Sequence, residues 1–329
     1  TSLNEEGAPV IFEEKFSVFY YIFHKMNINS LNASVLPYMP HRLIWLFSSR
    51  YIAGTTIEDG IRVSAELNAS GAEVTIDLLG EFIKTLDEAA VNTGKYIEII
   101  RRFSSEKIRG NFSVKPTMFG LLLDKEICYR HVREVVMEAH ANGSFIRIDM
   151  EDSQCVDMEI ELYRRLKAEF PQSVGLVLQA YLRRTLSDIE SLMDVHTEES
   201  PLNFRLCKGI YIEPAEIAFK GYEEVRQNYL LLLEFMLKNK IRVGIATHDK
   251  FLVGEACKLI EQYQVPVSRY EFQMLYGVTP ELRSSILKKG HRMRVYVPYG
   301  KDWFGYSTRR LKENPRMASL IIKALFVRG

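Results

Sequence analysis

From Glu73 onward the chain repeats one unit, a short run of strand length followed by a longer segment with helical periodicity. The strand candidates are VTIDLLG at Val74, FSVKPT at Phe112, FIRIDM at Phe145, GLVLQAY at Gly175, FRLCKG at Phe204, RVGIATH at Arg242, YEFQML at Tyr270 and RVYVPYG at Arg294. Segments such as VREVVMEAHANG and YLLLLEFMLKN fill the gaps between them as helices. Strands that alternate with helices form a parallel sheet, because only a crossover of that length returns the chain to the same edge. Eight units predict a closed (βα)8 barrel, where an open doubly wound sheet would show about five or six strands. The barrel is expected over residues 71–329. Residues 1–70 read as a helical arm, with the aromatic run FSVFYYIF from Phe16 to Phe23 and a second apolar segment from Leu43 to Ile52, separated by Pro37 and Pro40. A core or docking helix is the commoner use of such a run than a membrane-touching face.

Composition narrows the partners. The 43 basic residues balance 42 acidic ones, so a partner held by bulk electrostatics, nucleic acid above all, is not expected. The 47% apolar content supports a large core. Cys128, Cys155, Cys207 and Cys257 stand far apart without a CxxC pair, the usage of reduced thiols in a cytoplasmic protein, and not of a disulfide framework or zinc site. No apolar stretch is long enough to span a bilayer, and no signal segment opens the chain.

A parallel barrel builds its active site at the carboxyl ends of its strands. Those ends carry Asp77, Lys115, Asp149, Gln179, Arg205 with Lys208, His248, Gln273 and Tyr296. Any one of them reads equally well as a polar loop residue capping the next helix. The whole set is harder to dismiss, since charge at that depth costs free energy unless it is paired or used. The set lacks the carboxylate and histidine cluster of a metal barrel, and His41, His131, His140, His196 and His291 are scattered. Lys115 or Lys208 suits a Schiff-base lyase, an anionic substrate, or the phosphates of a cofactor. Neither GxGxxG nor GxxxxGK[ST] occurs, so a dinucleotide would be held by some other device. In KDWFGYSTRRLKENP, Tyr306, Arg309, Arg310 and Glu313 form one helical stripe. That spacing ordinarily marks a surface helix laced by Glu and Arg, and it equally suits a guanidinium clamp for a carboxylate.

These motifs in order, IDLLGE at Ile76, SVKPT around Lys115, RIDME around Asp149, LQAY around Gln179, FRLCKGIY from Phe204, IATHD from Ile245, EFQMLYG from Glu271, VYVPYG and YSTRRLKEN, closely resemble the flavin-dependent proline dehydrogenases of the monofunctional bacterial type. The resemblance runs from about Gly54 to Pro315. It implies a distorted (βα)8 barrel with the final helix over its mouth, binding FAD and oxidising L-proline to 1-pyrroline-5-carboxylate, with electrons passed to a quinone. By position it implies that Asp149 and Arg205 are the catalytic pair, Arg205 beside the flavin N5. Lys115, Arg309 and Arg310 would hold the substrate carboxylate, with Asp77 as the partner of the lysine. Tyr296 and Tyr306 would pack the proline ring, the Leu275 region would help close the pocket, and Glu81 would gate it by pairing with Arg309. Met150, Gln179, Arg205, Lys208, Gly209, Ile210, Thr247 and His248 would touch the cofactor. No metal is implied. Ile210 departs from the small residue the family often carries after the KG pair. A tyrosine at Tyr296, where hydroxyproline oxidases carry a smaller residue, favours proline over hydroxyproline. Quinone delivery implies at most peripheral contact with the membrane, for which the basic apolar tail after Ser319 is one candidate, and an oligomer is compatible with all of this.

Overall fold

The computed structural model describes residues 44, 45, 48–80 and 82–307. They fall into two compact units, Ser49–Trp303 and a second unit to which residues 44, 45, 48 and 304–307 belong. The aromatic run Phe16–Phe23, the prolines Pro37 and Pro40, part of the Leu43–Ile52 segment, and the tail after Ser319 lie outside the described residues.

The unit Ser49–Trp303 is a closed barrel of eight parallel strands in sequence order. They are β1 (Glu73–Leu78), β2 (Gly110–Val114), β3 (Ile146–Ile148), β4 (Val174–Gln179), β5 (Asn203–Cys207), β6 (Arg242–Ala246), β7 (Tyr270–Leu275) and β8 (Met293–Tyr299). All eight stand where the sequence places them. Closure comes from β1 pairing with β8, in register from Glu73 opposite Arg294 to Leu78 opposite Tyr299. The helices α1 (Ile57–Ala69), α2 (Leu86–Ser105), α3 (Lys125–Ala141), α4 (Val156–Glu169), α5 (Thr185–Ser191), α6 (Tyr222–Lys238), α7 (Lys250–Gln262) and α8 (Pro280–Lys288) complete the unit. Helix α1 thus belongs to the barrel unit, although it falls in the span read as an arm. Polar residues start several of these helices: Thr56 and Asp59 form a reciprocal capping box on α1, and the Asp124 carboxylate accepts the Glu126 and Ile127 amides at 2.9 Å each on α3.

The strands alternate strictly between two faces. Val74, Ile76, Phe112, Val114, Ile146, Ile148, Phe204, Leu206, Val295 and Val297 are buried and face the helices. Phe112 meets Phe103 of α2 with ring centroids 5.2 Å apart, and Phe204 meets Tyr163 of α4 at 6.0 Å. The alternate positions fill the barrel interior and are mostly polar: Thr75, Asp77, Asn111, Ser113, Arg147, Arg205, Gln273 and Arg294 are all buried. That Arg205 reaches Ser113 and Thr75, on strands that are not its neighbours, places its side chain across that interior. A barrel of this kind usually packs branched apolar residues inside. Here the interior is a hydrogen-bonded network, which is tolerable only because its members satisfy one another.

Candidate active site

Arg205 organises the carboxyl end. Its Nε donates to Gln273 Oε1 at 2.5 Å, and its Nη1 donates to Asp149 Oδ1 at 2.8 Å and to Ser113 Oγ at 3.0 Å. Its Nη2 has a single long contact, 3.5 Å to Thr75 Oγ1. Asp149 follows β3 directly, and its second oxygen accepts the Tyr296 hydroxyl of β8 at 2.9 Å. The Arg205 guanidinium carbon lies 5.2 Å from the centre of the Tyr296 ring, within cation–π range. Beside this triad Lys115 donates to Asp77 at 2.5 Å, with both groups buried. Burial raises the Asp77 carboxyl above its ordinary value despite the opposing pull of Lys115, and Asp149 adds to the rise. Wherever the shared proton sits, the lysine lone pair is engaged, which makes Lys115 a poor nucleophile toward a carbonyl.

The structure therefore brings Asp77, Lys115, Asp149, Arg205 and Tyr296 together. Gln179, at the end of β4, lies next to them in the fold: its Nε2 donates to the carbonyls of Met150 at 3.2 Å and Glu151 at 2.8 Å. This fixes the amide so that Oε1, fully buried, has no hydrogen-bond partner. Gly209 follows β5 with a φ of 106°, and a Cβ there would stand 2.1 Å from the Tyr181 ring, so the close approach demands glycine. Ile210 beside it is exposed. His248 accepts the Leu275 amide at Nε2, at 2.9 Å, which leaves its proton on Nδ1. Thr247 turns its hydroxyl to the Asp249 amide at 3.1 Å. Lys208 sits apart, 3.6 Å from Asp249, a carboxylate that also receives Arg226 at 2.8 and 2.9 Å and the Tyr222 hydroxyl at 2.7 Å. Burial would raise Asp249, but Arg226, Tyr222 and Lys208 together hold it well below the carboxylate range. Lys208 is thus part of a charged cluster at the start of α7, with its side chain partly exposed.

Glu81, Arg309, Arg310 and Glu313 lie outside the described residues, and Tyr306, which is buried, belongs to the other compact unit. Among the described residues no group of three or more His, Cys, Asp or Glu is arranged to hold a metal, and no helix is long and apolar enough to cross a membrane. The four cysteines are unpaired thiols.

The sequence reading missed the interior beneath the mouth. Glu271 accepts the Gln273 amide at 2.7 Å and Arg294 at 2.6 and 3.0 Å, and Arg294 also reaches Glu73 and the Val74 carbonyl. Arg147 donates to Asn203 at 2.7 and 2.6 Å. The available signal was the period-2 alternation itself: EVTIDL carries Glu73, Thr75 and Asp77, and YEFQML carries Glu271 and Gln273, at alternate positions of strands that must be buried on both sides.

Comparison with known proteins agrees with this architecture. The family model described as "Proline dehydrogenase" matches residues 61–322. A Bacillus subtilis protein named "Proline dehydrogenase 1" is 36% identical over 280 residues, covering 85% of this chain and 91% of its own length. A Deinococcus radiodurans "Proline dehydrogenase" is 34% identical over 286 residues, covering 86% and 91% respectively. The Escherichia coli "Bifunctional protein PutA" is less similar, at 26% identity. Among solved structures, proline utilization A from Bdellovibrio bacteriovorus, inactivated by N-propargylglycine, superposes with a TM-score of 0.76 at 26% identity, over 81% of this chain and 32% of that one. The chain spans about a third of that larger protein. With most of its length matched by the family model and by relatives above 30% identity, the chain belongs to the proline dehydrogenase family.

Proposed function

We propose that the chain oxidises L-proline to 1-pyrroline-5-carboxylate, with FAD as hydride acceptor and a quinone as onward acceptor. Family membership carries the oxidation of proline; the cofactor, product and acceptor are the finer reading. The observation that carries it is the Arg205 guanidinium, held on its Nε and Nη1 sides by Gln273, Ser113 and Asp149 while its Nη2 side has one long contact.

Proline offers a carboxylate, a secondary amine and an apolar ring. Lys115 is the buried cation suited to the carboxylate, with Asp77 fixing its direction. By the family resemblance, Arg309 and Arg310 of YSTRRLKEN would hold the same carboxylate, Glu81 of IDLLGE would gate it by pairing with Arg309, and Tyr306 would pack the ring. Tyr296, tied by its hydroxyl to Asp149, presents an aromatic wall that cannot swing away. FAD, if bound there, would supply the acceptor for a hydride from the ring carbon next to nitrogen. Arg205 then supplies a fixed positive charge where negative charge arrives, with no reorganisation needed because its partners already hold it.

The flavin is supported by features that suit it. The buried, unpartnered Gln179 Oε1 is an acceptor matched to an imide N–H, and Met150 is held by that same amide. Gly209 allows the backbone to turn beside Tyr181, while Lys208, Thr247 and His248 follow neighbouring strands. A Schiff-base lyase has weaker support, since the lone pair of Lys115 is engaged. Electron delivery to a quinone needs at most peripheral contact with a bilayer. The test is spectroscopic: the purified protein is expected to show a flavin spectrum that bleaches on adding proline without oxygen. A colourless protein that borohydride traps covalently with an aldehyde or ketone would overturn the reading.

A further inference from the structure

We infer that Glu271 is a positioning residue for Arg205: acting through the Gln273 amide, it fixes where the guanidinium sits at the barrel mouth. The inference rests on Arg205 being the cationic group of the active site. The link has two bonds, from Arg205 Nε to Gln273 Oε1 at 2.5 Å and from Gln273 Nε2 to Glu271 Oε1 at 2.7 Å. The amide of a glutamine is ordinarily free to turn over, because its two ends have the same shape. Here it has one choice. A guanidinium only donates and a carboxylate only accepts, so the oxygen must face Arg205 and the NH2 must face Glu271. A reversed amide would set NH2 against guanidinium and oxygen against carboxylate at once.

Glu271 is itself immobile. Arg294 grips it through two bonds, at 2.6 and 3.0 Å, and Arg292 stands 3.5 Å away. Burial would raise its carboxyl, but these arginines and Gln273 hold it down at about 2, so it stays ionised wherever the enzyme works. The neighbouring strand leaves the amide no slack and just enough room: a Cβ on Gly244 would lie 2.3 Å from Gln273 Nε2. A carboxylate behind the amide also polarises it, strengthening its oxygen as an acceptor for Arg205. A residue one layer below the mouth, with no atom at the reacting centre, therefore determines the Nε side of the guanidinium that the proposed chemistry sets beside the cofactor.

The test is Glu271→Met, which leaves no acceptor behind the amide, read first by its crystal structure, which needs neither flavin nor turnover. The expected result is loss of the bond from Arg205 Nε to Gln273 Oε1 and a moved guanidinium; an Arg205 that keeps its place overturns the inference. The second reading is kinetic: kcat for proline should fall about tenfold with KM little changed, and the flavin midpoint potential should shift in the same direction as in Arg205→Met. Adding E271M to R205M should change neither quantity further, and an equal loss in both backgrounds would mean that Glu271 acts on the fold and not through Arg205. A wild-type protein that holds no flavin would instead defeat the proposed function and leave the crystallographic result to decide this point. If E271M alone does not fold because buried Arg294 is left with Glu73 as its one carboxylate, E271M/R294M removes both charges together and is read by the same criteria.

Discussion

The two ends of the barrel interior are built from the same kinds of side chain and used differently. At the amino end, Glu73 and Glu271 are gripped by Arg292 and Arg294, and the layer borders a cavity of about 280 Å³ that Arg147, Arg242 and Arg269 also line. At the carboxyl end, the Asp77, Lys115, Asp149 and Arg205 set leaves capacity over: Asp77 Oδ2 and Gln179 Oε1 are buried acceptors without partners, and Arg205 Nη2 is barely engaged. Arg147 Nε is a buried orphan at the amino end, so the contrast is one of degree. It still supports the proposal that the carboxyl end does the chemistry. Paired charge holds a polar barrel together, and spare hydrogen-bonding capacity is what a ligand can meet. Gln273 joins the two layers.

The comparison can be broken from either side, and the largest effect is expected at the mouth. Arg205→Met should lower kcat/KM for proline by about a thousandfold, about 4 kcal/mol, with a smaller stability cost because Asp149 keeps its bond from Tyr296, measured by steady-state kinetics and urea unfolding. A stability loss as large as the activity loss would erase the distinction between the ends. At the amino end the order reverses. Glu271→Met should cost about 3 kcal/mol of stability by leaving buried Arg294 with Glu73 as its one carboxylate, and the double variant with Arg294→Met should recover most of it.

Acid sharpens the same point. The Glu271 carboxyl drops from its ordinary 4.5 to about 2 in the fold, so its stabilisation is complete above pH 4.5 and is lost as pH falls toward 2. At about 1.4 kcal/mol per unit the loss is about 3 kcal/mol, and urea unfolding across that range should show a correspondingly shallower fall in Glu271→Gln. Gly209→Ala should cost about 2 kcal/mol, since it strains a left-handed φ and drives a Cβ into Tyr181, and should weaken flavin retention, read by absorbance after gel filtration. The smallest effect is expected from Tyr296→Phe, which removes one hydrogen bond to Asp149 worth about 1 kcal/mol. A smaller side chain there should raise activity on hydroxyproline relative to proline, and equal efficiency of the intact enzyme on both substrates would count against the crowding argument.

The barrel was legible because eight strand-and-helix units leave few other topologies, and the outward residues announce themselves by being apolar. The mouth residues were legible because a charged side chain at the end of an apolar strand stands out, as Lys115 does after FSV and Asp149 after FIRI. What the sequence hid was partnership. Glu271 and Arg294 lie on neighbouring strands and look like ordinary polar residues until β7 pairs with β8 and sets them side by side, and nothing local shows that Gln273 will bridge Arg205 to Glu271. Lys208 shows the reverse, a strand-end lysine that folds away toward Asp249 and Tyr222.

The central claim is that the positive charge of Arg205, held in advance by the barrel network, governs reduction of the cofactor. Stopped-flow mixing of proline with anaerobic enzyme measures that step alone. If the claim is right, an Arg205→Met protein that keeps its flavin will bleach about a thousandfold more slowly than the wild type. Bleaching at the wild-type rate in that variant would contradict it.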